Sequence, residues 1–443
     1  MDLDSLKQIT QDVLKLAKNA GASSAETETS YGSGQNVSVR LGETETIEYN
    51  RDKGVSVTVY FGQQKGNAST SDLSLAALKD TVEAACNIAK YTAKDEFCGL
   101  ADAALMATDF PDLDLNHPWH ISVDDALEMA KRCEAAAMDV DRKRISNSEG
   151  AGVSNSDGVF AYANSHGFVG GYASTRHSIS CSVIACEDET MQRDYWYTSA
   201  RDFADMESAE LVGKIAGERT IRRLGAKPMQ TGNYSVLFEA ALATGLISSL
   251  ISAISGGSLY RKSSFLLDSL GKPIASSLLN IDELPHIKKA NASSPFDGEG
   301  VATKSRKLVQ NGVLQGYVLG SYSARKLGMQ TTGNAGGSHN LIVQSTGQNF
   351  AELLKKMGTG LLVTEVLGHG LNMVTGDYSR GAAGFWVENG AISHAVEEIT
   401  IAGNMADMLK NIVAIGTDVN KNSSKQTGSI LIEQMTVAAG GQE

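Results

Sequence analysis

The chain has 443 residues, 39 Lys and Arg against 51 Asp and Glu, and a formal net charge of -12. That length exceeds one ordinary hydrophobic core and implies two or three domains. The acidic balance repels phosphate backbones and argues against direct nucleic-acid binding, which would need a segregated basic face that the chain does not show.

Five cysteines, Cys86, Cys98, Cys133, Cys181 and Cys186, are odd in number and lack a CxxC pair. Neither a disulfide framework nor a thiolate zinc ribbon is indicated, and a reducing compartment fits. The opening Met1-Asp2-Leu3-Asp4 places acids where a signal peptide carries its basic segment, so a cytoplasmic location is expected.

Leu6, Ile9, Val13, Leu16 and Ala20 recur at helical spacing, with Asp4 as the candidate N-cap and Gly21 just past the end. Val55, Val57, Val59 and Phe61 then alternate with Ser56, Thr58 and Tyr60, the pattern of a strand with one buried face. A second helix is predicted over 72–91 and a third over 125–140, with Ser122 and Asp125 as a capping pair. Both helices turn a cysteine inward, Cys86 and Cys133, so these read as core. The stretch 97–122 holds Pro111 and Pro118 without sustained periodicity and marks a first boundary. Strand-like segments fill 145–186, a helix is predicted over 206–224, and Pro228 stands at a second boundary.

The window 236–254 is the most hydrophobic, yet Glu239, Thr244, Ser248, Ser249 and Ser252 interrupt it, so no membrane-spanning helix is expected. Beyond it glycine and short strands dominate. Asn311-Gly312 and Asn389-Gly390, each between apolar residues, predict type I′ hairpins, because both central residues of that turn need positive φ. Short helices are expected over 350–357 and 405–412. The class is α+β. The expected domains are 1–115, an N-terminal helix and sheet region; 116–227, a strand-rich central segment with flanking helices; and 228–443, glycine-rich and mainly antiparallel β.

No helix pairs two histidines with a nearby carboxylate, the arrangement that aims imidazoles at one zinc ion. His117 and His120 flank Pro118 and read as a solvated turn. The other histidines are isolated and read as structural, with His339, His369 and Asp377 as the set from which a site of distant residues could be assembled. No GxSxG elbow or P-loop occurs. Gly256-Gly257-Ser258 and Gly336-Gly337-Ser338 read as turns or close packing sooner than as amides for a carboxylate.

Three segments hold more polar and glycine residues than a core needs: 256–264, with Arg261 and Lys262; 321–328; and 376–381, with Asp377, Tyr378 and Arg380. Their glycine neighbours permit close backbone approach, which makes those five residues candidates to line a substrate cleft. Structural ion pairs that hold the loops are the alternative.

These segments, with the stretches 335–340, 383–390 and 398–404, resemble the PmbA/TldE branch of the TldD/PmbA family, near-continuously over 236–435 and more weakly upstream. The resemblance implies a cytosolic peptidase assembly formed with a TldD-like subunit and acting on unfolded peptides, including peptide-antibiotic precursors and labile antitoxins. In TldD-type members a helix supplies two histidines and a glutamate upstream of an Arg-Lys pair, and a late cysteine completes a zinc site. Matching that pair to Arg261-Lys262 puts Ser249 and Ala253 at the histidines and Leu250 at the glutamate, and no cysteine follows Cys186. The resemblance therefore implies a subunit without its own metal, zinc on the TldD-like partner, and a homodimer as an option for the isolated chain.

Leu246, Ile247, Leu250, Ile251 and Ile254 form an apolar helical stripe. Core packing is its default reading, and a partner interface through Leu246, Leu250 and Ile254 is the sharper expectation. Two other functions stay open: a self-sufficient hydrolase and, from the family's older naming, a DNA-gyrase modulator acting by protein contact.

Overall fold

The computed structural model describes residues 1–439. Helix α1 (Leu3–Asn19) begins at Asp2, whose carboxylate accepts the Ser5 N–H at 2.9 Å. The cap therefore lies two residues before the expected Asp4, which sits in the first turn where the helix dipole favours an acid. Strands β1 (Ser24–Arg40), β2 (Glu43–Phe61) and β3 (Gln64–Thr70) follow, then α2 (Leu75–Tyr91). An irregular stretch leads to α3 (Val123–Met138), where the Ser122 hydroxyl accepts the Asp125 N–H and donates to its carboxylate. The expected capping pair forms, and the helix starts directly after its cap. Strands β4 (Ile145–Asn164), β5 (Val169–Glu187) and β6 (Thr190–Ala200) and helix α4 (Ala209–Arg222) complete this part.

These six strands form one antiparallel sheet in the order β3-β2-β1-β4-β5-β6. Segments 1–115 and 116–227 thus share a sheet, joined where β1 pairs with β4 from Glu26↔Asn164 to Val39↔Ala151. Helices α1 and α2 cover one end around Val13, Val57, Val82 and Ala85. Helices α3 and α4 cover the other around Val37, Cys133, Val153 and Val212. Cys86 and Cys133 are buried, as their helical positions predict.

The remainder begins with β7 (Gly232–Phe238), α5 (Ala240–Ala253) and α6 (Gly256–Tyr260). Next come β8 (Ile281–Leu284), β9 (Arg306–Gln310), β10 (Val313–Leu314), α7 (Ser321–Lys326) and β11 (Asn340–Val343). After α8 (Phe350–Met357) run β12 (Gly360–Leu367), β13 (Asp377–Glu388) and β14 (Ala391–Asn404). Helix α9 (Met405–Lys410) and strands β15 (Ile412–Ile415), β16 (Lys425–Gln426) and β17 (Ile430–Ala439) finish the fold. One sheet is β10-β9-β8-β11-β16; the other is β14-β13-β12-β7-β17-β15, and a further β14–β17 pairing closes five of its strands into a ring. Among the described pairings between these strands only β7–β12 and β11–β16 are parallel.

Both Asn-Gly turns form. Asn311 and Gly312 have φ of 49° and 75°, Asn389 and Gly390 have 51° and 75°, and they join β9 to β10 and β13 to β14. Among the described residues no helix is long and apolar enough to cross a membrane.

Candidate functional site

Helix α5 holds Ser249, Leu250 and Ala253, the positions that the resemblance to TldD-type members matches to a zinc motif. Its Ser249 hydroxyl donates to the Gly245 carbonyl one turn back at 3.0 Å, while Leu250 and Ala253 are fully buried. A hydroxyl turned onto its own helix and two hydrocarbon side chains offer zinc no imidazole, carboxylate or thiolate, so these three positions do not fit a zinc ligand set. His339, His369 and Asp377 do not replace them: among the described residues no three His, Cys, Asp or Glu side chains gather as a metal-holding group. The His339 ring is buried against the Gly333 carbonyl at 2.9 Å.

The apolar stripe of α5 corrects the interface expectation. Leu246, Leu250 and Ile254 are 4%, 0% and 0% exposed and pack into the chain's own largest core with Val236, Leu279, Leu308 and Leu319. Strands wrap the helix on the side that the stripe faces, which leaves those side chains no surface for a partner.

Arg261 and Lys262 are exposed just after α6. The Arg261 guanidinium lies over the Tyr260 ring, 5.2 Å from its centroid, and Tyr260 meets Tyr322 of α7 edge-on at 5.8 Å. Helices α6 and α7 touch closely because Gly256 has no side chain; a Cβ there would stand 2.2 Å from Ser323 Oγ. From α7, Tyr322 donates to Asp95 at 2.7 Å, and Arg325 spreads its guanidinium over three carbonyls, those of Phe97, Gly99 and Leu100, at 2.7–3.0 Å. The segment 321–328 is thus a clamp on the loop 95–100.

Asp377, Tyr378 and Arg380 open β13 beneath the loop 368–376. Arg380 Nη2 donates to the Gly368 carbonyl at 2.6 Å, and its Nε is buried without a partner. The Asp377 carboxylate accepts from Thr375 at 2.6 Å and from Asn404 at 3.3 Å. Tyr378 is buried, and burial pushes its phenol upward against the opposing pull of Arg380. Backbone bonds from Asn372 N to Asp377 O and from Ser379 N to Gly370 O pin the loop from the other side. The five cleft candidates therefore form two groups, and among the described residues no hydrogen bond or ion pair links Arg261 or Lys262 to Asp377, Tyr378 or Arg380.

Sequence reasoning missed a cavity of about 410 Å³ between β1, β2 and the loop 95–100 on one side and Glu299 and α7 on the other, lined by Glu26, Tyr60, Lys65, Cys98, Glu299 and Tyr322. Glu26 accepts from Tyr60 at 2.7 Å and from Tyr162 at 2.8 Å. Burial, reinforced by Asp297 and Glu26, holds the Glu299 carboxyl above its usual range, although its bond from Ser321 opposes this. Burial also raises the Cys98 thiol, which makes it a poor nucleophile. Its walls come from strands and loops far apart in the chain, so no local pattern marks it.

Models described as PmbA/TldA metallopeptidase domain 1, central domain and C-terminal domain match residues 26–89, 116–224 and 231–439. The chain belongs to the PmbA/TldD metallopeptidase family. It is 51% identical to the metalloprotease PmbA homolog of Haemophilus influenzae over 98% of its own length and 96% of the relative's. The crystal structure of a proposed modulator of DNA gyrase from Bacteroides thetaiotaomicron superposes with a TM-score of 0.94 at 30% identity, over 99% of this chain and all of that one. TldE of Thermococcus kodakarensis shares the fold, with a TM-score of 0.85 at 19% identity over 97% and 100% of the two chains. The α+β architecture with antiparallel sheets is that of the family, and peptide-bond hydrolysis is the chemistry the family is named for.

Proposed function

We propose that this chain is the noncatalytic subunit of a two-subunit peptidase and completes a peptide-binding chamber, while a TldD-like partner carries the zinc. The observation that carries this reading is the chemistry of α5 at the motif positions, Ser249, Leu250 and Ala253, where nothing can ligate a metal. Unfolded peptides, including peptide-antibiotic precursors and labile antitoxins, are the proposed substrates, held chiefly through their backbones because a broad peptidase cannot depend on side-chain pockets alone. Five free thiols support a cytoplasmic setting.

Elemental analysis and peptidase assays of the purified chain, alone and mixed with a TldD-like subunit, test the division of labour. The expected result is no stoichiometric zinc, no cleavage alone, and cleavage by the mixture. One tightly held zinc per chain, lost on His339→Ala or His369→Ala, would sink the proposal and favour a self-sufficient hydrolase. For the cleft, Arg380→Ala and Asp377→Asn are expected to impair cleavage by the assembled complex; unchanged turnover and KM in folded, assembled variants would remove both from it.

A further inference from the structure

The six-stranded sheet carries a trough on the face turned away from its helices. Directly opposed residues of antiparallel strands turn their side chains to the same face, so the register defines rows across β2, β1, β4 and β5. One row reads Asn50, Gly34, Ser156, Arg176 and the next Asp52, Gly32, Gly158, Ser174. On β1 these even positions face away from Val37 and the helix layer. The middle of both rows is glycine or serine, and a Cβ on Gly32 or Gly158 would meet nothing nearer than 3.6 or 3.8 Å. The floor is therefore low, and an open cavity of about 580 Å³ stands over it.

At the β5 end of the trough stand two arginines. Arg201 is 9% exposed and donates to the carbonyls of Ala290, Thr175 and Asn291 at 3.1–3.3 Å. Arg176 is half-buried and donates to the side chain and carbonyl of Asn291. Every one of these acceptors is neutral, and among the described residues neither guanidinium forms an ion pair. Burial first, and then the neighbouring Arg176, lower Arg201 to about 10. Two like charges side by side and withdrawn from water favour an anion between them, and a guanidinium keeps free N–H groups suited to a carboxylate. At the far end lies Asp52, exposed on β2. Three inter-strand steps of about 4.8 Å separate β2 from β5, roughly 14 Å in all, the length of about four extended residues.

We propose that this trough binds a short peptide of about four residues, its free C-terminal carboxylate on Arg176 and Arg201 and its N-terminal ammonium toward Asp52. Peptide hydrolysis releases such a carboxylate with every cut. The choice of a peptide rests on the peptidase-subunit reading above, whereas the demand for an anion rests on the arginines alone.

Calorimetric titration of the isolated chain with tetra-alanine, its C-terminal amide and its N-acetyl form tests the site without any cleavage step. The free peptide is expected to bind, the amide at least tenfold more weakly, and the N-acetyl form a few-fold more weakly. Arg176→Gln is expected to weaken the free peptide about tenfold and erase its preference over the amide. Ser156→Glu, at an exposed position in the same row, is expected to do the same by offering Arg176 an internal carboxylate while both arginines keep their contacts. No binding of tetra-alanine at millimolar concentration, or equal affinity for acid and amide, overturns the proposal. Tetra-alanine binding without cleavage by the mixed subunits leaves the trough standing and removes the peptidase reading; cleavage without such binding does the reverse.

Discussion

Arg219 and Arg223 show how single residues join parts of the chain that the sequence keeps apart. Arg219 reaches Glu239, at the start of α5, at 2.9 Å and Asp194 of β6 at 3.3 Å; Arg223 pairs with Glu365 of β12 and lies 3.8 Å from Asp194. The arginine and Asp194 side chains are at most 15% exposed, so removing one partner strands a charge away from water. Arg219→Ala is expected to cost about 3–5 kcal/mol, read as a lower urea midpoint; a loss below about 1 kcal/mol would mean that water screens the pair. Glu299 makes the opposite case. A folded carboxyl held above its ordinary 4.5 binds a proton that the unfolded chain has released, so stability falls as pH rises from about 4.5 through the folded value. Glu299→Gln keeps an acceptor for the Ser321 N–H and removes that loss. Its stability relative to the parent is expected to rise between pH 4.5 and 7, and a constant difference in denaturation midpoint would refute the assignment.

Among the elements, α3 and α4 pack without room for a Cβ at their contact. A side chain on Gly213 would lie 1.9 Å from the Cys133 carbonyl oxygen, and one on Gly217 2.4 Å from that of Ala137. The two glycines stand four residues apart on one helical face, visible in the sequence, but their meaning depends on which backbone crosses them. Gly213→Ala is expected to destabilise by about 1–3 kcal/mol through overpacking, with helicity retained by circular dichroism. The hairpins are different, because Asn-Gly dictates its own turn. At Gly312 a Cβ would face both a φ of 75° and the Ala275 carbonyl oxygen at 2.3 Å. Gly312→Ala is accordingly expected to lower the thermal midpoint more than Ala substitution at Gly328, which has φ 65° and open space.

At the scale of the whole molecule, α7 and the 95–100 loop fasten the C-terminal half of the chain to its N-terminal segment. Arg325 satisfies three loop carbonyls and Tyr322 holds Asp95, while Lys326 lies over the Phe97 ring at 4.4 Å. Arg325→Ala is expected to raise amide hydrogen exchange in residues 95–100 by an order of magnitude or more while leaving the distant α3–α4 pair protected; unchanged exchange in the loop would show that other contacts hold it. The same clamp borders the cavity of Glu26, Tyr60 and Glu299, so its shape depends on this docking.

Local chemistry settled a large share of this protein in advance. Periodicity located α1, α2 and α3, and Asn-Gly located both hairpins, since these depend on neighbours within a turn. What lay on the other side of each buried face did not follow. The α5 stripe required burial, but only the strands wrapped around it decided that Leu246, Leu250 and Ile254 serve the chain's own core. Likewise, Asp4 and Asp2 are both able caps, and backbone geometry chose Asp2. Glu26 meets Tyr162 across 136 residues, and Arg325 meets Gly99 across 226. Contacts of that range, and the two arginines that converge at the trough from β5 and the end of β6, depend on sheet register and domain docking, which no local pattern encodes.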